Sequence, residues 1–189
     1  MNTPKRGFLV AGAAVAVVLS SGVAAHAAPA AVGAAGVAGA SSVATAAAFP
    51  KFKAPKPFGT SFQADPKHDF TKGIHSRHDG VLRGRITEIR GDVAEYQPIK
   101  WKKGTETEGY FVAPPEGDVT AYASTVAKDV VYLSAFGCGK SEGGMTVNRD
   151  TGLGNKRCAR SVLMKRDGKP ALITVYKGKI VQVQEIWTP

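Results

Sequence analysis

Three shortages frame this sequence. Past residue 58 there is no hydrophobic stretch that could span a bilayer, so the mature chain is expected to lack a transmembrane segment and to be soluble. Acids are scarce, with 15 Asp and Glu against 25 Lys and Arg. Motifs of activated nucleophiles are missing too. There is no G-x-S-x-G, no cluster of Asp and Glu in an apolar frame, and no cysteine left over once the only two, Cys138 and Cys158, pair with each other. Glu106 and Glu108 fall in the polar run TETEG and read as a solvated turn. The expectation is a protein that is not an enzyme and needs no cofactor.

The N-terminus is more informative. MNTPKRG carries Lys5 and Arg6 without an acid, and FLVAGAAVAVVLSSGVAA follows as an uncharged apolar run. Ala25-His26-Ala27 then offers small residues before a cut after Ala27. That order predicts a secretory signal peptide over residues 1–27 and a secreted, extracellular product. PKRGFLV has Lys5 where a twin-arginine signal has its first Arg, which leaves the export route open. Residues 28–57 are Ala/Gly/Ser/Val low complexity closing in a Pro/Lys segment. Such side chains are too small to offset the entropy of ordering them, so the segment reads as a linker or pro-segment. A polar approach segment over 58–80 leads into a β-rich domain over 81–189.

Loss of Lys5 and Arg6 with the leader leaves 23 basic against 15 acidic residues, a net charge of +8. Lys51, Lys53 and Lys56 of the linker hold three of those charges. A basic balance favours acidic partners such as anionic cell-wall polymer or polysaccharide, without choosing among them.

Cys138 and Cys158 are separated by GKSEGGMTVNRDTGLGNKR, which has five glycines and few apolar residues. In an exported chain the two are expected to form a disulfide, a staple for a loop that cannot build a core. SAFGCGKS (134–141) ends like a phosphate-binding loop. However, such a loop needs glycine where Ser134 stands, and a helix after the Ser. Glu142-Gly143-Gly144 follows instead, and Cys138 is committed to the staple, so an NTPase is excluded.

From residue 80 the apolar period is two. VLRGRITEIR (81–90) alternates, Gly91-Asp92 turns, and VAEYQPIKW continues, with Pro98 marking an edge or bulge. GYFVA (109–113) is a short strand before Pro114-Pro115. VTAYASTV (119–126) and VVYLSAF (130–136) alternate again, with AKD read as a turn between them. ALITVYKGKIVQVQEIW is a hairpin about Lys177-Gly178. KRCARSVLMKRDG (156–168) departs towards helical spacing, with Asn155 as N-cap and Gly168 as stop. Strands, one helix, then two strands predict a small OB-like antiparallel barrel of five to six strands. The alternative is an open antiparallel sheet or sandwich with a packed helix.

The segment VYKGKIVQVQEIWTP after the stapled GC…RC resembles small secreted single-disulfide β-rich domains of unknown function from high-GC Gram-positive bacteria. The resemblance covers about residues 81–189. It implies a small β module and carries no catalytic residue.

Three stretches could carry chemistry. KWKK places Trp101 among Lys100, Lys102 and Lys103; strand-borne aromatics stack on bases or sugars while cations meet phosphates or carboxylates. Tyr96, Tyr110 and Tyr122 could share that face or fill the barrel, and Trp187 reads as core or rim. HSRHDG brings His75, His78 and Asp79, with His68-Asp69 upstream; these are N and O donors fit for zinc or copper, but the flanking Gly73 and Gly80 read as a solvated loop, so no metal is expected. RGD at 90–92 coincides with a turn and reads as turn chemistry. The function expected is that of a monomeric, secreted, non-enzymatic β-module on an anionic cell-surface polymer. The alternatives are an extracellular protease-inhibitor or protein-binding module presenting the disulfide loop to a secreted protein, and a minor hydrolase or metalloprotein built on His75 and His78.

Overall fold

The structure, a computed structural model, describes residues 49–188 except 106, 107, 119, 140–143 and 167. The signal-peptide expectation and Glu106 lie outside the described residues. In chain order the strands and helix are β1 (Gly80–Arg90), β2 (Val93–Pro98), β3 (Lys100–Lys102), β4 (Tyr110–Val112), β5 (Tyr122–Ser134), β6 (Lys156–Cys158), α1 (Arg160–Leu163), β7 (Pro170–Tyr176) and β8 (Lys179–Glu185). A 3-10 turn over Phe70–Lys72 precedes them.

Five strands close a barrel in the order β2-β1-β7-β8-β5, with β5 returning to β2. The pairing of β5 with β8 is parallel and the others in the ring are antiparallel. The helix falls between the third and fourth barrel strands. The protein is thus a mixed OB-like barrel, not an all-antiparallel one. A parallel neighbour needs a long crossover, and everything from residue 135 to 178 supplies it. β6 pairs with the end of β5 that β2 does not reach, and β3 and β4 form a separate two-stranded hairpin.

Odd steps in the apolar pattern explain how the sheet bends. Ile86 and Ile89 both contribute to the core, an odd spacing that a regular strand cannot bury on one face. A bulge at Thr87 resolves it: Ile86 faces Tyr96, and Glu88 faces Glu95. Ile180 and Val183 stand in the same relation. There Val175 pairs with Ile180 and Thr174 with Gln182, leaving Val181 as the extra residue.

Two sequence expectations are corrected here. AKD (127–129) is not a turn; 122–134 is one strand of 13 residues. The segment is a bulge, since Val126 pairs with Ile180 and Val131 next pairs with Gln182. Arg160 satisfies the backbone it frees: its Nη2 donates to Val126 O at 3.4 Å and its Nε to Ala127 O at 3.2 Å. The helix expected over 156–168 is also shorter. Lys156–Cys158 pair as β6, with Cys158 opposite Tyr132. The free edge of β5 competes for the backbone there, and the capping residue is Ala159, in extended conformation, rather than Asn155. Nor is Gly168 the stop: the helix ends at Leu163 with Met164 as its C-cap, and Gly168 lies beyond it at φ +71° with its N–H on Ile86 O. The hairpin at Lys177-Gly178 has positive φ at both positions, as a type I′ turn requires.

Tyr96, Tyr122 and Tyr132 are fully buried in the barrel. Burial raises all three phenols, Tyr122 to about 12. An unfolded tyrosine titrates near 10. Between those values the unfolded chain releases a proton that the folded chain keeps. Stability is therefore intact below pH ~10 and falls as pH rises towards about 12, by roughly 3 kcal/mol for Tyr122 alone. In an alkaline titration the buried tyrosinate absorbance is expected to appear together with loss of the β-sheet circular dichroism signal. Ionisation of all five tyrosines near pH 10 with the sheet intact would contradict it.

Candidate functional site

A groove of about 440 Å³ is lined by Phe58, Trp101, Met145, Gly152 and Trp187, with Glu108, Arg149, Asp150 and Thr151 among its polar groups. Trp101 lies on β3 and meets Phe58 and Phe111 edge-on, both at 5.0 Å between ring centroids. Phe58 stacks on Phe111 at 6.0 Å. Met145 and Phe58 are both exposed there, Met145 by 54%, and they give the groove an apolar, solvent-facing wall.

Phe58 is held in place from below. Arg83 is buried in β1. Its Nε donates to Ile99 O at 3.0 Å, its Nη1 to Lys56 O at 2.7 Å, and its Nη2 to Ser61 O. These bonds bind the 56–61 turn to the barrel, and Gly59 O then accepts from Trp101 N–H at 2.9 Å. Gly59 has no room for a side chain, since a Cβ there would lie 2.2 Å from Arg83 Nη1.

The opposite wall comes from the stapled loop. Thr146 N–H donates to Ala135 O, Asn155 N–H to Thr146 O, and Asn148 N–H to Leu153 O, which folds 146–155 back as a hairpin. The Asn148 side chain caps its tip by accepting from Asp150 and Thr151 N–H. Gly152 O receives Trp187 N–H at 2.8 Å, so the wall is fastened to the chain beyond β8.

The loop leaves the barrel at a buried polar cluster. Glu185 is 2% exposed. Its Oε1 accepts from Tyr132 OH and from Arg166 Nη1, the latter at 3.5 Å, and its Oε2 from Ser134 Oγ and Ala135 N–H, both at 2.8 Å. Arg166 also donates to Gly137 O and Gly139 O, on either side of Cys138. Burial first, then the bond to Glu185, pushes the Tyr132 phenol up. The disulfide between Cys138 and Cys158 is formed, with Cα atoms 5.4 Å apart. Ser134, which stands where a phosphate loop would need glycine, donates to the Glu185 carboxylate.

The cationic set expected around Trp101 is divided. Alternation along β3 sends Trp101 into the groove and Lys100 and Lys102 to the other side. Lys100 Nζ lies 4.7 Å over the Phe62 ring and Lys102 Nζ 5.8 Å over Tyr110. Lys103 is exposed beyond the strand. Of the tyrosines considered for that face, Tyr96 and Tyr122 are core and Tyr110 is exposed. The charges of the RGD stretch are paired: Arg90 with Glu88 at 2.6 Å and Asp92 with Arg160 at 2.7 Å. His75 and His78 come together with His68 and with Asp65, which sequence reading passed over because thirteen residues separate it from His78. Phe58 and Arg149 were equally hidden, since their meeting depends on a long-range fold. Glu185 had a signal, as it continues the inward step from Val183.

Among the described residues no helix is long and apolar enough to cross a membrane. Comparison with family models, with curated proteins and with solved structures finds no match for this chain.

Proposed function

We propose that the protein is a secreted, non-enzymatic β-module that binds a cell-surface polysaccharide in the groove between Phe58–Trp101 and the stapled loop. The observation that carries this reading is the aromatic lining, Phe58, Trp101 and Trp187, with polar groups beside it. A sugar ring has an apolar face and a hydroxyl edge. The rings cover the face, while Arg149, Asp150, Thr151 and Glu108 offer donors and acceptors to the edge. OB-like barrels present such surfaces to oligosaccharides. The leader pattern and the disulfide support export. Lys100, Lys102 and Lys103 add long-range attraction if the polymer is anionic.

The test is retention of the purified chain on isolated bacterial cell-wall polysaccharide at low and high salt. Trp101→Ala is expected to weaken retention at least about tenfold. Lys102→Ala with Lys103→Ala is expected to weaken it less, and chiefly at low salt. Retention that survives Trp101→Ala but vanishes in high salt would sink the groove and leave surface charge as the cause. No retention, with capture of one discrete secreted protein instead, would favour the protein-binding reading.

A further inference from the structure

A second cluster lies away from the groove, where the polar segment before β1 crosses the barrel. Asp65 and His68 are joined by a turn in which His68 N–H donates to Asp65 O at 2.9 Å. The Asp65 carboxylate is nearly buried, with 5% of its side chain exposed. His78 arrives from thirteen residues on. Its backbone N–H donates to Asp65 Oδ2 at 3.0 Å, and its Nδ1 lies 3.0 Å from Oδ1. One nitrogen from each histidine and one Asp65 oxygen lie within 4.8 Å of one another.

His68 is the telling residue. Its side chain is 0% exposed, and neither ring nitrogen has a hydrogen-bond partner. Nδ1 is 3.9 Å from Asp65 Oδ2, too far for a hydrogen bond. Buried polar atoms are ordinarily satisfied, and an unsatisfied one asks for a missing partner. The ring is also held rigidly. His75 stacks on it at 4.0 Å, with its own Nδ1 2.9 Å from Gly73 O. Phe70 and Tyr122 close the other sides at 4.4 and 4.7 Å.

We propose that Asp65, His68 and His78 bind one borderline divalent transition-metal ion, Zn²⁺ or Cu²⁺. Two imidazoles and a carboxylate are the donor set such ions take, with positions left for water. Calcium and magnesium want more oxygens than the cluster offers. Ligand atoms around zinc stand roughly 3–4 Å apart, so the cluster needs only a small contraction. His78 can supply it, because 52% of its side chain is exposed. The exposed side of His78 also opens the cluster to solvent, which gives the ion a path of entry. The packed rings around His68 act as the shell that fixes a ligand's orientation. This site is independent of the polysaccharide groove.

The full chain, stripped with a chelator, would be titrated calorimetrically with Zn²⁺ and with Cu²⁺, and with Mg²⁺ and Ca²⁺ for comparison. One equivalent of Zn²⁺ or Cu²⁺ is expected to bind, and neither Mg²⁺ nor Ca²⁺. His78→Gln and Asp65→Ala are each expected to weaken binding at least about tenfold, and Trp101→Ala to leave it unchanged. His78→Gln alters a half-exposed ring, so circular dichroism should report an intact barrel. Co²⁺ loaded in place of zinc should give the visible absorption of a low-coordinate nitrogen/oxygen site, lost in His78→Gln. Absence of Zn²⁺ and Cu²⁺ uptake, or full affinity in a folded His78→Gln chain, would overturn the proposal.

Discussion

Glu185→Ala is expected to lower the stability of the barrel by about 3–5 kcal/mol, the cost of breaking one side of a buried ion pair. The carboxylate is the shared acceptor for Tyr132 OH, Ser134 Oγ, Ala135 N–H and Arg166. Its removal takes the carboxylate acceptor from Tyr132 OH, Ser134 Oγ and Ala135 N–H, and it takes the counter-charge from Arg166, which is only 17% exposed at its side chain and keeps the carbonyls of Gly137 and Gly139. Each stranded donor costs about 1–3 kcal/mol in isolation, though the losses overlap. Glu185→Gln keeps the shape and one acceptor but loses the charge, so its effect should be intermediate. Urea denaturation read by circular dichroism checks both, since a shifted midpoint with unchanged slope reports stability. A loss under about 1 kcal/mol for the alanine variant would show that the cluster is dispensable.

The second large effect is that of the staple. Cys138→Ser with Cys158→Ser is expected to cost about 3 kcal/mol, from the entropy the unfolded chain regains when a loop of this separation is opened. A functional loss should accompany it. Met145, Arg149, Asp150, Thr151 and Gly152 belong to the loop the disulfide closes, and they form one wall of the groove. Polysaccharide retention should therefore fall in the double serine variant even at temperatures where the barrel remains folded. A melting curve and a binding assay with and without reductant separate the two effects. Retention unchanged on reduction would detach the loop from the site.

These two sites also differ in how far the sequence foretold them. The disulfide follows from two cysteines in a chain whose N-terminus reads as an export leader, with no geometry required. The two bends of the sheet can be suspected from odd apolar steps, Ile86 to Ile89 and Ile180 to Val183, yet AKD reads as a turn. Lys128 and Asp129 are exposed in either arrangement, so polarity alone cannot tell a bulge from a loop. Arg160 decides it, by supplying the hydrogen bonds that a bulge leaves open. The KWKK stretch stands out as a candidate, but alternation divides it. Its tryptophan faces the groove and its lysines do not, a consequence of strand period rather than composition.

By itself the sequence determined what depends on local order: the alternating strands, the Lys177-Gly178 hairpin, the β character of the domain, and the pairing of its two cysteines. Those properties rest on near-neighbour sterics and on a residue count. Tertiary structure alone decided the parallel closure of β5 on β8. It also decided the buried acceptor at Glu185, the groove formed by Phe58, Trp101 and Trp187, and the meeting of Asp65 with His68 and His78. The first three join segments from different elements, brought together by a cooperative burial of apolar surface in which no short stretch records its partner, whereas the Asp65–His68–His78 cluster forms within the one segment before β1.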